Sequence, residues 1–350
     1  MKIIWGKFQH FANYYSRCVV NDYTRFYNGT CYLHDAWQIC DWKEYIMAKY
    51  LVKRILLALL SIFLICMITF FLMNAVPGGP FSSEKAVSAQ VMAALEARFN
   101  LDKPLWQQFI MYMNNILHGD FGISMKTGRE IAVTLKSCFS VSAKLGGSAL
   151  IVAMILGIIF GCVAALYRNR VPDRIIVFMT TLFTAMPSFV LATLLLLVFC
   201  IQLKWFPVWD ASSKSFLLPV IALAAYPTAY ITRLTKTAML DALSQDYIRT
   251  ARAKGVPMTR VIFKHALRNA LIPVITYLGP ELAYILTGSL VIENIFTIGG
   301  LGQQFVQSIN NRDYSMIMGT TIFLAIIMVF CNLLSDILYK VVDPRIKLEA

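Results

Sequence analysis

Charge is scarce in this 350-residue sequence, where 15% of residues are Asp, Glu, Lys or Arg and 58% are hydrophobic. Ordinary globular domains carry about 25% charged residues, so this composition, with a mean hydropathy of +0.63, argues against a soluble enzyme. A disulfide framework is also missing. Cys66, Cys162, Cys200 and Cys331 lie inside apolar runs, where thiols act as small hydrophobes in a reducing or buried setting. No G-x-x-x-x-G-K-[ST] phosphate loop occurs. The one Gly-Lys pair, Gly6-Lys7, lacks the upstream Gly and the hydroxyl residue, so the chain is not expected to bind ATP. Met1 to Ile46 is mixed polar and aromatic, without the short apolar core and cleavage site of a secretory leader. Internal repeats and low-complexity segments are absent.

What the chain has instead is long uncharged stretches. Crossing roughly 30 Å of hydrocarbon takes about 20 apolar residues in a helix, because every backbone group must be bonded within the segment. Six segments qualify: Ile55 to Val76, Leu145 to Tyr167, Ile175 to Leu203 with Pro187 inside, Ser215 to Thr232 with Pro219 and Pro227, Leu271 to Ile292 with Pro273, Pro280 and Glu281, and Tyr314 to Ser335. The expected fold is an all-α membrane protein with six transmembrane helices.

The net charge of +13, from 32 Lys and Arg against 19 Asp and Glu, would suggest nucleic acid in a soluble protein. Here it marks cytoplasmic loops. Arg168, Arg170 and Arg174 follow the second span. Arg233, Lys236, Arg249, Arg252, Lys254, Arg260, Lys264 and Arg268 follow or end the fourth. Both loops belong inside, and Lys49, Lys53, Arg54, Lys340, Arg345 and Lys347 put both termini there too. The segment of about 77–140 is then an external, partly folded loop. Pro77-Gly-Gly-Pro80 ends the first span, Val87 to Arg98 reads as an amphipathic helix, and Lys103-Pro104 starts another.

The cytoplasmic loop of about 236–271 is too long and too regular for a connector. Leu240, Leu243, Tyr247, Ile248 and Ala251 follow helical spacing, and Gly255 with Pro257 ends the helix. Thr259 can cap a second one, on which Arg260, Lys264 and Arg268 form a basic ridge. Helix, break, helix, lying outside the membrane, fits either a solvated basic face near anionic headgroups or a partner surface.

Residue order decides between them. Tyr247-Ile-Arg-Thr-Ala-Arg-Ala-Lys-Gly255 followed by His265-Ala-Leu-Arg-Asn-Ala-Leu-Ile-Pro273 resembles the signature loop of bacterial ABC importer permeases. Arg249-Thr250-Ala251 where the general signature has Glu-Ala-Ala, and Leu267-Arg268 where Leu-Pro is usual, resemble the peptide-transporter branch. His118-Gly-Asp-Phe-Gly122, Pro77-Gly-Gly-Pro80, Val141-Ser-Ala-Lys-Leu-Gly146 and Asn311-Arg-Asp-Tyr314 are similar to further motifs of that branch. The likeness runs from about Lys49 to the C-terminus and is nearest to B-type oligopeptide permeases.

This resemblance implies a type I ABC importer permease fold over 47–350 and a bacterial cytoplasmic-membrane location. It also implies a second, C-type permease subunit, two ATPase subunits that use ATP and Mg, and an external peptide-binding protein. In that family the short helix before the Gly docks on the ATPase, which makes Asp246, Tyr247, Arg249, Thr250, Ala251, Arg252, Ala253, Lys254 and Gly255 the expected coupling residues. Ala251, Ala253 and Gly255 are small enough for close approach, and Arg249 and Arg252 suit acidic partners. Catalytic residues, bound cofactors and nucleic-acid partners are not expected. Dipeptide, nickel and opine permeases of the same family are the alternatives.

Glu281 lies near mid-bilayer, where a carboxylate costs roughly 2.5 to 3.5 kcal/mol on insertion scales. It is either a residue of the solute pathway or a structural hydrogen-bonding group at the permease interface. A self-sufficient secondary transporter would need coupling-ion carboxylates and paired repeats, and an intramembrane enzyme a second catalytic group. Lys144 reads as snorkelling at the external end of the second span. His118 beside Asp120 makes no ligand set, and Cys31-x-x-His34 has irregular neighbours, so no metal is expected. Asn28-Gly-Thr30 is a glycosylation acceptor on the wrong side of the membrane. Residues 1–46 form an extension of unknown role, and Met47 onward resembles the usual start of such permeases.

Overall fold

The structure, a computed structural model, describes residues 33–81, 89–207, 215–287 and 290–342. The described residues up to Leu60 and those from Ser61 onward fall in two separate compact units. Cys31 of the Cys31-x-x-His34 motif, the Asn28-Gly-Thr30 motif and the rest of residues 1–32 lie outside the described residues. The helices, in chain order, are α1 (Leu33–Ala75), α2 (Ala89–Arg98), α3 (Leu105–Leu117), α4 (Ile131–Leu166), α5 (Val171–Ala185), α6 (Ser188–Leu195), α7 (Leu217–Ser244), α8 (Asp246–Ala253), α9 (Met258–Arg260), α10 (Leu267–Leu286), α11 (Leu290–Ile295), α12 (Leu301–Asn310) and α13 (Tyr314–Val342). Wider π-helical turns extend α6 through Leu196–Gln202 and join α9 to α10 through Val261–Ala266.

Among the described residues five helical stretches are long and apolar enough to cross a membrane: Val52–Ala75, Ile131–Leu166, Leu217–Ser244, Met258–Ile295 and Tyr314–Ile337. The third expected span is a bent pair, α5 and the α6 stretch to Gln202, turned by 102°. Pro187 causes the break. It donates no backbone hydrogen bond, and it pushes Met186 to an extended conformation at φ −88°, ψ 124°.

Other boundaries also move from the sequence expectation. The second span starts at Ile131, not Leu145, because Lys136 and Lys144 interrupt the apolar run without interrupting the helix. Helix α4 therefore already begins within the segment of about 77–140, and Lys144 sits well inside it. Helix α7 continues to Ser244, and Met258 onward is already continuous with the fifth span. The expected second free-standing loop helix is therefore the start of a span. Its N-cap is Pro257, with Thr259 inside the helix.

Packing centres on α7. Two thirds of its apolar stretch is buried (67%), against 11% for Val52–Ala75, whose bulky side chains Leu56, Leu59, Phe63 and Leu72 remain exposed as on a lipid-facing helix. Small residues let α4 press onto α7. A Cβ added to Gly157 would lie 2.6 Å from Ile231 Cγ2, and one on Gly161 would lie 2.4 Å from Thr235 Cβ and 2.8 Å from the Thr232 carbonyl. Close backbone approach of this kind is how helices associate where lipid removes the hydrophobic drive.

Helix α3 is built against the spans. Phe109 of α3 is buried with Cys66 and Phe70 of α1 and Met318 and Ile322 of α13, its ring 5.4 Å from that of Phe70. Trp106, Ile110 and Leu117 on the same helix are exposed.

Candidate functional site

The surface between the fourth and fifth spans is organised by α8. Its apolar residues Ile248 and Ala251 are buried among Met239 and Ala242 of α7, Ala165 of α4, and Val261, Ala266 and Ala270 on the way into α10. Asp246 in the first turn and Arg252 in the last suit the helix dipole. Gly255 then ends α8 in a left-handed conformation at φ +72°. The Gly255 N–H donates to the Arg252 carbonyl (2.9 Å) and the Val256 N–H to the Ala251 carbonyl (3.2 Å), the paired bonds of a Schellman cap. Val256 packs into the same apolar cluster as Ala251, and Pro257 prevents resumption of the helix.

Of the nine expected coupling residues, Asp246, Tyr247, Arg249, Thr250, Arg252, Ala253, Lys254 and Gly255 are exposed on one continuous surface. Ala251 instead turns inward, so its small size serves the seat of α8 on its own chain. Tyr247 accepts a hydrogen bond from Asn269 Nδ2 (2.9 Å), which ties α8 to α10. Arg249 and Asp246 approach to 3.4 Å but are almost fully exposed, and such pairs contribute little. Arg260, Lys264 and Arg268 are exposed beside α8, extending a cationic surface.

Within the spans, Glu281 is buried and accepts a hydrogen bond from Tyr277 Oη (2.7 Å). The Tyr277 ring lies 4.4 Å from that of Tyr230 on α7, which stacks towards Tyr226 at 6.5 Å. Tyr226 and Tyr230 lie on the strip of α7 left exposed together with Ile221, Arg233 and Thr237. The structure thus joins Glu281 to a row of tyrosines that sequence reasoning did not single out. Their spacing along Tyr226, Tyr230 and Tyr277, Glu281 was a usable signal, since residues four apart share a helix face.

The Pro77-Gly-Gly-Pro80 motif and the segment after Gly122 meet the start of α13. Arg312 Nη1 donates to the Pro77 (3.2 Å) and Gly78 (2.9 Å) carbonyls. Buried Asp313 accepts from Ser124 Oγ, from the Met125 N–H (3.1 Å) and, as an N-cap, from the Met316 N–H (3.2 Å). Asp120 Oδ1 accepts from the Gly122 N–H (2.8 Å), closing a turn in which Gly119 and Gly122 have positive φ. His118 bonds the Asn114 carbonyl. Among the described residues no three His, Cys, Asp or Glu side chains are grouped to hold a metal.

Glu293 escaped sequence reasoning altogether. It is fully buried, accepts from Ser142 Oγ (2.7 Å) and from the Gly302 N–H (2.7 Å), and so caps α12. Ser142 in turn accepts from the Leu301 N–H (2.8 Å). The signal was Gly299, Gly300 and Gly302 close behind a carboxylate. A Cβ on Gly300 would lie 2.4 Å from Glu293 Oε2.

A multi-span membrane protein with an exposed, capped helix between its fourth and fifth spans is the class these features define. Residues 157–348 match the family model described as binding-protein-dependent transport system inner membrane component, and residues 47–145 match that of its N-terminal part. The chain is 46% identical over 305 residues to the dipeptide transport system permease protein DppB of Bacillus subtilis (strain 168), covering 87% of this chain and 99% of that one. Identity to the oligopeptide transport system permease proteins OppB is 43% for Haemophilus influenzae and 41% for Escherichia coli (strain K12), each over 86% of this chain and 100% of the other. The chain belongs to the family of binding-protein-dependent transport system inner membrane components and is a transport permease.

Proposed function

We propose that this chain is one of two permease subunits of an ATP-driven ABC importer for oligopeptides, with dipeptides as the alternative cargo. The observation that carries the reading is near end-to-end identity of 41–46% to oligopeptide and dipeptide permeases, together with an exposed α8 at the place where sequence puts the coupling helix. The proposed partners are a C-type permease subunit, two cytoplasmic ATPases that bind ATP and Mg, and an external peptide-binding protein. The chain itself binds no cofactor. Its proposed location is the bacterial cytoplasmic membrane, with both termini inside.

Closure of the ATPases displaces α8, and the spans seated on α8 through Ile248 and Ala251 change angle, so access alternates between the two sides. Proline sites at 187, 227, 273 and 280 supply bends, because each removes a backbone donor. Glu281 acts in the pathway through Tyr277: a buried acceptor holds that ring against Tyr230, and the tyrosine row offers faces and hydroxyls to a peptide of any sequence.

The test is reconstitution with and without the ATPases. Reversing the two exposed cations with Arg249→Glu and Arg252→Glu should lower ATPase association and ATP-dependent peptide uptake at least tenfold. Peptide accumulation by the chain alone would overturn the reading.

A further inference from the structure

Motion of α8 reaches α4 and α10 through apolar packing, since all three contribute to one buried cluster. The α5 helix is attached differently. Its only buried residues are Asp173 and Thr180, both polar, while Val171, Ile175, Val177, Phe178 and Met179 are exposed. Asp173 Oδ1 lies 2.5 Å from Lys236 Nζ of α7, with side-chain exposures of 7% and 23%. Its second oxygen accepts the Asn169 N–H at 2.9 Å, so the carboxylate is held from both sides. One turn earlier in α7, Arg233 Nη2 donates to Thr184 Oγ1 (2.7 Å) and to the Thr180 carbonyl (3.4 Å).

Position gives this arrangement a mechanical meaning. Arg233 and Lys236 both follow Pro227, the proline inside α7, and so belong to its cytoplasmic piece. From Lys236 to the end of α7 at Ser244 is about 12 Å of helix at 1.5 Å per residue, and α8 starts two residues on. A carboxylate paired in so confined a place resists separation, because pulling the partners apart leaves an uncompensated, poorly hydrated charge. Exposed pairs such as Asp246–Arg249 have no such resistance.

We propose that Asp173–Lys236, supported by Arg233–Thr184, is a polar clasp through which the cytoplasmic piece of α7 carries α5, and with it the bent third span, during each transport cycle. The proposal rests on the coupling reading above and adds the route by which the third span is driven. Asp173 and Lys236 are positioning residues and touch no solute.

The test uses the assembled transporter in vesicles and reads ATP hydrolysed per peptide taken up. Single replacements strand one charge and endanger folding, so the informative variants are the neutral pair Asp173→Asn with Lys236→Gln and the reversed pair Asp173→Lys with Lys236→Asp. The neutral pair should assemble in normal amounts and hydrolyse ATP, but take up about tenfold less peptide per ATP. The reversed pair should recover much of that ratio. A normal ratio in the neutral pair, or equal loss of assembly, hydrolysis and uptake, overturns the clasp.

A second measurement is independent of cargo. Spin labels at the exposed positions Ile175 and Thr237, introduced as cysteines, should keep one separation with and without ATP in the parent complex and lose it in the neutral pair. A separation that changes in the parent complex overturns the clasp even where uptake is normal. A parent complex that moves no peptide with ATP overturns the coupling reading instead, and the label separations still decide whether α5 and α7 move together.

Discussion

Glu293 gives acceptors to Ser142 Oγ and to the first turn of α12, whereas the Tyr112 hydroxyl is buried without a hydrogen-bond partner. Burial pushes the Tyr112 hydroxyl pKa up from its ordinary value, with Cys66 nearby adding to the shift. The two sites should answer mutation with opposite signs. Glu293→Ala strands buried donors and should destabilise the chain by about 3 kcal/mol, and Glu293→Gln by less, because one acceptor remains. Tyr112→Phe removes a group that gains nothing from burial, so stability should hold or rise. Thermal unfolding of the detergent-purified chain checks all three: the alanine variant should melt lowest and the phenylalanine variant at or above the parent.

At the scale of elements, α8 depends on the conformation of one residue. Gly255 has φ +72° and nothing within 4 Å of an added Cβ, so Gly255→Ala meets no steric neighbour and is strained by backbone alone, by about 1–2 kcal/mol. The cap should loosen, and with it the seating of Val256 beside Ala251. Uptake should fall several-fold while the chain still folds, with increased proteolytic or hydrogen-exchange access confined to Asp246–Pro257. Much of this element was legible in the sequence: Gly255 followed by Pro257 marked its end, and Ile248 with Ala251 its buried stripe. The inward turn of Ala251 was not separable from partner contact, because a small residue suits a close approach on either side. Nor could spacing show that Met258 begins a span, since Arg260, Lys264 and Arg268 look like a solvated helix until α10 is seen to continue from them.

For the whole molecule, the proposed orientation separates the charged surfaces. A cysteine at Arg252 should react with a membrane-impermeant thiol reagent only from the cytoplasmic side, and one at Lys103 only from outside. Labelling of both from one side would overturn the topology. Sidedness of this kind follows from basic residues retained inside, while the row of Tyr226, Tyr230 and Tyr277, proposed for the solute path, depends on how α7 meets α10.

The sequence by itself determined the membrane class, the number and approximate places of the spans, and the short helix α8 with its end at Gly255, because backbone satisfaction in lipid and helix termination are local requirements written in consecutive residues. Only the tertiary structure decided which polar residues meet. Glu293 finds Ser142 at a separation of 151 residues, and Asp313 finds Ser124 at 189. Tyr230 reaches Tyr277 across two helices, and Asp173 reaches Lys236. Composition and period constrain one helix at a time, whereas these pairs are fixed by how the packed helices bring distant backbones together, as where Gly146, Gly157 and Gly161 let α4 press onto α10 and α7.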